Sequence, residues 1–178
     1  ESAWLTGKSL AIVQYSKISN TQDTEYSRKL TLLFGKVSFS ATFLTIVILI
    51  LIPQPVFSFI FGKDFPGLTT VIISLAAGTL FLSISFTFSH FFSGIGKHFH
   101  NSISSAVGFI FTLILGYYFI PKYGLIGAGI TTSITYLSII VYQTIVFIKI
   151  TNSTIYDFFI SKKDIEMLKR EMKNYFKK

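Results

Sequence analysis

Four side chains stand out as candidates for chemistry: the histidines His90, His98 and His100, and the lysine Lys8. A histidine can relay a proton or ligate a metal. These three, however, have no cysteine and no paired carboxylates around them at metal-ligand spacing. No metal site, cofactor or catalytic group is therefore expected. Gly94-Ile-Gly96 does not follow a strand of a βαβ unit, and Phe61-Gly-Lys-Asp64 lacks the spacing of a phosphate-binding loop. The residues point to binding rather than to an enzyme. Lys8 stands nine positions before Lys17, roughly 13 Å along a helix. At that depth it either pairs with an anionic substrate in an aqueous cavity or snorkels to the surface on its flexible stem. His90 is a second candidate for substrate contact. It is the only Asp, Glu, Lys, Arg or His within the four apolar runs of the chain. Such a group faces a cavity or a partner unless it lies near the interface, and Lys97 is only about two turns away. His98 and His100 read as interfacial.

The elements that must position these residues are long apolar helices. Residues 103–120 and 125–148 contain no Asp, Glu, Lys, Arg or His. As helices they cover roughly 27 and 36 Å, which matches a hydrocarbon core of about 30 Å, the longer one with some tilt. Pro121-Lys-Tyr-Gly124 lies between them. Pro121 lacks an N–H and is expected to end the first helix, and Gly124 allows the sharp reversal. The pair predicts a transmembrane hairpin. Two further spans are predicted at 37–61 and 68–93. Pro53 and Pro55 should kink or unwind the first, and Pro66 is well placed to start the second. The hydroxyls of Ser83, Ser85, Thr87 and Ser89 stud the latter. Residues 1–16 read as the end of a preceding span, and 17–36 as a polar loop with a possible short surface helix. The expected fold is all-α: a polytopic bundle with four complete spans over residues 1–150, then a basic tail over 151–178.

Composition agrees. The 178 residues are 51% hydrophobic and only 13% charged, against about 25% charged in a soluble domain. The absence of cysteine excludes disulfides, thiol catalysis and thiolate metal sites. No signal peptide precedes the spans and residue 1 is Glu, so the chain reads as a piece of a longer protein or a truncated product.

The net charge of +8 is explained by sidedness rather than by nucleic acid. The 17–36 loop, the 94–102 turn and the tail from Lys149 carry thirteen Lys or Arg, whereas the opposite side carries only Lys63 and Lys122. By the positive-inside rule the first set and the C-terminus face the cytoplasm. The formal sequon Asn152-Ser-Thr154 then stays unmodified. In the tail, Ser161-Lys-Lys-Asp164 has capping-box spacing, and Ile165, Leu168, Met172 and Phe176 recur at helical intervals opposite lysines. This predicts an amphipathic helix in the headgroup region, with its basic face toward anionic membrane lipids. The small-residue series Gly124, Ala128, Thr132, with Gly127, Thr131 and Thr135 beside it, reads as a helix-packing surface.

Four motifs carry a family resemblance. Pro121-Lys-Tyr-Gly-Leu-Ile-Gly-Ala128 resembles the element before the last core helix of polysaccharide (O-antigen) flippases of the Wzx type. These belong to the multidrug/oligosaccharidyl-lipid/polysaccharide (MOP) exporter superfamily. Phe61-Gly-Lys-Asp-Phe65 and Ser93-Gly-Ile-Gly-Lys97 are similar to turns of the second half of that family. Ser16-Lys-Ile-Ser19 resembles the ending of a helix there, with Ser16 where the family has proline. The four fall in the family's order. The resemblance implies that 1–16 end the eighth of twelve spans and that the four spans here are the ninth to twelfth. It implies a plasma (inner) membrane transporter for lipid-linked oligosaccharide, typically undecaprenyl-diphosphate-linked, acting by alternating access in surface polysaccharide or lipopolysaccharide synthesis. Its partner would be the N-terminal half of the same transporter. Since the first two helices of each half line that cavity, Lys8 and Gln14 are the residues expected nearest to it. A cation-coupled multidrug exporter of the same superfamily calls for acidic cavity residues, and the four spans contain none. The remaining alternative is a non-transporting membrane scaffold subunit.

Overall fold

In the computed structural model, residues 5–61, 68–159, 161, 164 and 166–168 are described, the side chains of 5–10 and of 61 excepted. The described residues form helices and connecting turns, with no strand among them. In chain order the helices are α1 (Leu5–Ser19), α2 (Thr24–Leu51), α3 (Gln54–Phe61), α4 (Leu68–Gly94) and α5 (Phe99–Thr151), followed by a 3-10 turn, Ile155–Phe158. Three of them, α2, α4 and α5, are long and apolar enough to cross a membrane.

The helix α5 is not one rod. Its backbone breaks at Gly124, with φ 56° and ψ −130°, and the arms 99–123 and 125–151 fold back on each other. In a straight helix Thr112 and Thr135 would stand about 34 Å apart, yet their hydroxyl oxygens are 3.0 Å apart. Likewise His100 Nδ1 lies 3.0 Å from the Tyr142 hydroxyl. The reversal falls at Gly124 rather than at Pro121, which stays inside the helix. Pro121 removes one hydrogen bond only three residues before the helix stops, so the first arm ends at the glycine that can take positive φ. Gly127 sits in the crossing point. A Cβ there would lie 2.1 Å from the Phe119 carbonyl oxygen, so the arms close to backbone contact.

The polar segment 17–36 holds a turn followed by a helix, and that helix runs on into the span rather than ending at the surface. Lys17 to Ser19 finish α1, and α2 begins at Thr24. Only a short turn separates the two helices. Asp23 caps α2, its carboxylate accepting the Tyr26 N–H at 3.0 Å. Leu30, Leu32, Leu33 and Phe34 are buried, so the first turns of α2 are held by packing as well as by the cap. The charged residues Glu25, Arg28 and Lys29 pair along one face of the helix. The span expected at 37–61 is divided: α2 closes at Ile52, which is extended (ψ 123°), and α3 restarts at Gln54 with Pro55 in its first turn.

The helix α4 is the centre of the bundle, packing against α1, α2 and α5, whereas α2 and α5 barely meet. Phe88 and Phe91 each lie 4.9 Å, ring centre to ring centre, from Phe147 of the second arm. These join Ile18, Leu30, Leu33 and Phe92 in one buried cluster. Toward the other end the α4–hairpin contact is made by small residues. A Cβ on Gly129 would stand 2.1 Å from the Ser74 hydroxyl, and one on Gly78 would stand 2.9 Å from the Ser133 backbone. Outside this core the surface is hydrocarbon: Leu44 is 61% exposed, Leu51 74%, Leu113 56% and Leu125 72%. Such a surface is stable against lipid, where burying apolar area gains nothing and small-residue packing takes over.

Candidate functional site

One level of the bundle is polar. Gln14 of α1 is fully buried. Its amide donates to the Thr31 hydroxyl at 2.8 Å and to the Thr87 carbonyl oxygen at 3.1 Å. Thr31 in turn donates to the Ser27 carbonyl oxygen. On the hairpin side of α4, Gln143 donates to the Ser89 hydroxyl at 3.0 Å and to the Ser104 hydroxyl at 3.5 Å. Asn101 donates to the Ser89 carbonyl oxygen at 2.9 Å and the Ser93 hydroxyl at 3.0 Å. All three carboxamides spend their N–H groups inside the bundle. Their oxygens, and the hydroxyl of Thr87, have no partner among the described residues. Buried polar atoms of this kind normally find water or a ligand.

A groove of about 580 Å³ opens beside this level, between α2 and α4. Leu32, Phe39, Ile84 and Phe88 form its apolar walls, Phe158 of the 3-10 turn closes one side, and Thr31, Lys36, Ser40 and Thr87 are its polar lining. Lys36 Nζ lies 2.8 Å from Asp164 Oδ2, and the two side chains are 11% and 20% exposed. Asp164 also accepts the Ser161 N–H at 2.6 Å, the half of the capping box that the tail spacing predicts. A smaller groove of about 360 Å³ runs along the next face of α2, walled by Leu33, Val37, Leu44 and Leu168. The tail is therefore seated on α2 through Asp164 and Leu168, and Asp157 adds an ion pair with Arg28 of α2 at 3.0 Å. Ile165, Met172 and Phe176, the other apolar positions of the expected tail helix, lie outside the described residues, as do the side chains of the lysines opposite them.

The residues expected at a substrate site are placed separately. Lys8 lies on α1, with its side chain outside the described residues. Gln14 is locked between α1, α2 and α4, leaving only its carbonyl oxygen to offer. His90, on α4, donates from Nδ1 to the Phe86 carbonyl oxygen at 2.8 Å and meets the edge of Tyr15 at 6.3 Å. Neither Gln14 nor His90 lines either groove. Lys36 and Asp164 escaped the sequence reading because the first counts as a loop charge and the second as a cap. Only the tail's return onto α2 joins them. No protein-family model, no curated protein and no solved structure matches the chain.

Proposed function

We propose that these helices are the ninth to twelfth crossings of a twelve-span flippase of the MOP exporter type. In this reading α2, α4 and the two arms of α5 each cross the plasma membrane. The cation-rich end and the tail face the cytoplasm. The protein carries lipid-linked oligosaccharide repeat units across for surface polysaccharide assembly. Substrate passes between this half and a second six-helix half by alternating access, with Lys8 on α1 meeting the anionic diphosphate.

The observation that carries the reading is where the motif residues fall. Ser16-Lys-Ile-Ser19 closes α1, and Ser93-Gly-Ile-Gly-Lys97 spans the end of α4 with Gly96 at φ 74°. Pro121–Ala128 spans the reversal at Gly124. Among the described residues three of the four motifs sit at helix ends or at the reversal, which is where a flippase half would need them. Phe61-Gly-Lys-Asp-Phe65 lies outside the described residues beyond the backbone of Phe61.

Deleting the gene in its own host tests the function. Loss of surface polysaccharide, with repeat units accumulating on their lipid carrier at the cytoplasmic face, is the expected result. Unchanged polysaccharide overturns the reading. Lys8→Ala at the native locus tests the site alone: export should fall while the protein stays in the membrane at normal abundance.

A further inference from the structure

We propose that the groove between α2 and α4 holds one acyl chain of an anionic phospholipid, whose phosphate takes Lys36 in place of Asp164. This inference is independent of any transport activity.

The groove lies on the hydrocarbon-facing side of the bundle. Phe39, in its wall, is 40% exposed, and Phe43 and Leu44, one turn further along α2, are 52% and 61% exposed. An occupant reaching it through that surface comes from the membrane. Its volume of about 580 Å³ lies within the range of roughly 300–1,000 Å³ typical of small-ligand sites. The walls at Phe39, Ile84 and Phe88 suit a hydrocarbon chain.

The charge selects the headgroup. A lysine whose side chain is only 11% exposed needs a countercharge at hand. Asp164 supplies it from the tail, which also meets α2 through the Asp157–Arg28 pair. A phosphodiester offers the same charge with more acceptor oxygens. Thr87 adds a second anchor. It lines the groove and is 1% exposed, and its hydroxyl has no partner among the described residues. It can donate to an ester oxygen of the lipid glycerol. Lipid and tail therefore compete for one cation, so a seated anionic lipid frees Asp164.

Photolabelling decides the matter. The whole gene product is placed in phosphatidylcholine nanodiscs containing a small fraction of diazirine-acyl phosphatidylglycerol, or an equal fraction of the diazirine-acyl phosphatidylcholine. Adducts are then mapped by mass spectrometry after illumination. Labelling of the Phe39 and Ile84 peptides should be several-fold higher with the glycerol headgroup. Lys36→Gln should equalise the two lipids, Lys36→Arg should keep the preference, and Asp164→Asn should raise phosphatidylglycerol labelling. Equal labelling of the native protein by both lipids means ordinary boundary lipid and overturns the proposal, as does a preference that survives Lys36→Gln. Should Lys36→Gln not fold, Asp164→Asn decides, and unchanged phosphatidylglycerol labelling overturns the proposal.

Discussion

Asp157 reaches back to Arg28: its Oδ2 lies 3.0 Å from the guanidinium Nη1, across a sequence separation of 129 residues. The same guanidinium holds both oxygens of Glu25 at 2.8 Å. Because α5 and α2 barely meet directly, this pair and Lys36–Asp164 tie the end of the chain to the first long helix. The Thr154 backbone N–H donating to Asp157 does most to hold this carboxyl below the ordinary carboxylate range; burial opposes it, and the Thr154 hydroxyl and Arg28 add to the lowering. A depressed folded-state pKa stabilises above the unfolded value of about 3.9 and loses that contribution as pH falls through the folded value. A spin label on Ser161→Cys should thus be ordered at neutral pH and become mobile only on acidification below about pH 4. Asp157→Asn should loosen it at neutral pH as well. A label equally ordered in both proteins at neutral pH would show that Lys36–Asp164 and the packing of Phe158 and Leu168 hold the tail without Asp157.

The glycines of the hairpin divide into those that are filled against and those that are not. At Gly127 an added methyl meets the Phe119 carbonyl oxygen at 2.1 Å, whereas at Gly116 its nearest neighbour is the Ile120 side chain at 3.6 Å. Gly127→Ala should therefore cost about 1–3 kcal/mol through forced separation of the arms. Gly116→Ala should be neutral or should stabilise by up to about 1 kcal/mol through helix propensity. Gly124 is a third kind, with open space around it but φ at 56°. Gly124→Ala should cost about 1–3 kcal/mol in backbone strain alone, since φ 56° with ψ −130° lies outside the left-handed helical region that other residues visit. Loss of helicity on heating in detergent ranks the three, and a Gly127→Ala protein as stable as the parent would contradict the close crossing.

How much of this was legible in the residues follows from what each signal measures. The apolar runs and the two glycine-bearing reversals at Gly96 and Gly124 read directly, because a membrane demands unbroken apolar length and a turn demands positive φ. The start of α2 did not. Its first turns carry Glu25, Arg28, Lys29 and Lys36, which look like a loop until Asp23 is seen as a cap and Leu30 to Phe34 as core. The small-residue surface was found, but the face was partly misplaced. Gly127, Thr131 and Thr135 are buried, Ala128 and Thr132 only in part, and Gly129 packs on α4. Four-residue spacing fits several rows of one helix and cannot say which row meets a neighbour. Gln143 and the Lys36–Asp164 pair were invisible for a different reason: their partners lie 39 to 128 residues away, and no local pattern records such distances.

Gln14 and Thr31 offer a test of whether the polar level is structural. Their hydrogen bond joins α1 to α2 in the buried interior at 2.8 Å. Hydrogen bonds between membrane helices average about 0.6 kcal/mol and reach about 1.7 kcal/mol. A cycle of Gln14→Leu, Thr31→Val and the double variant should give a coupling near the upper figure, since both side chains are buried almost completely. Strict additivity would mean that the amide prefers other partners.

The last expectation concerns sidedness, and the absence of cysteine makes it simple to measure. The ends of α1 and α4 meet at Gly94, where an added methyl would touch Ile18, and the start of α5 joins them through Asn101 and Ser93. Lys17, Lys97 and Lys149 therefore gather at one end of the bundle, and Lys122 stands at the other, beside the reversal of the hairpin. If the basic end faces the cytoplasm, Lys122→Cys should react with an impermeant maleimide in intact cells and Lys97→Cys only after permeabilisation. The reverse pattern would invert the topology. Reaction of both from outside would mean that α4 and the first arm of α5 do not lie across the membrane as a pair, and the four-crossing arrangement would fall with it.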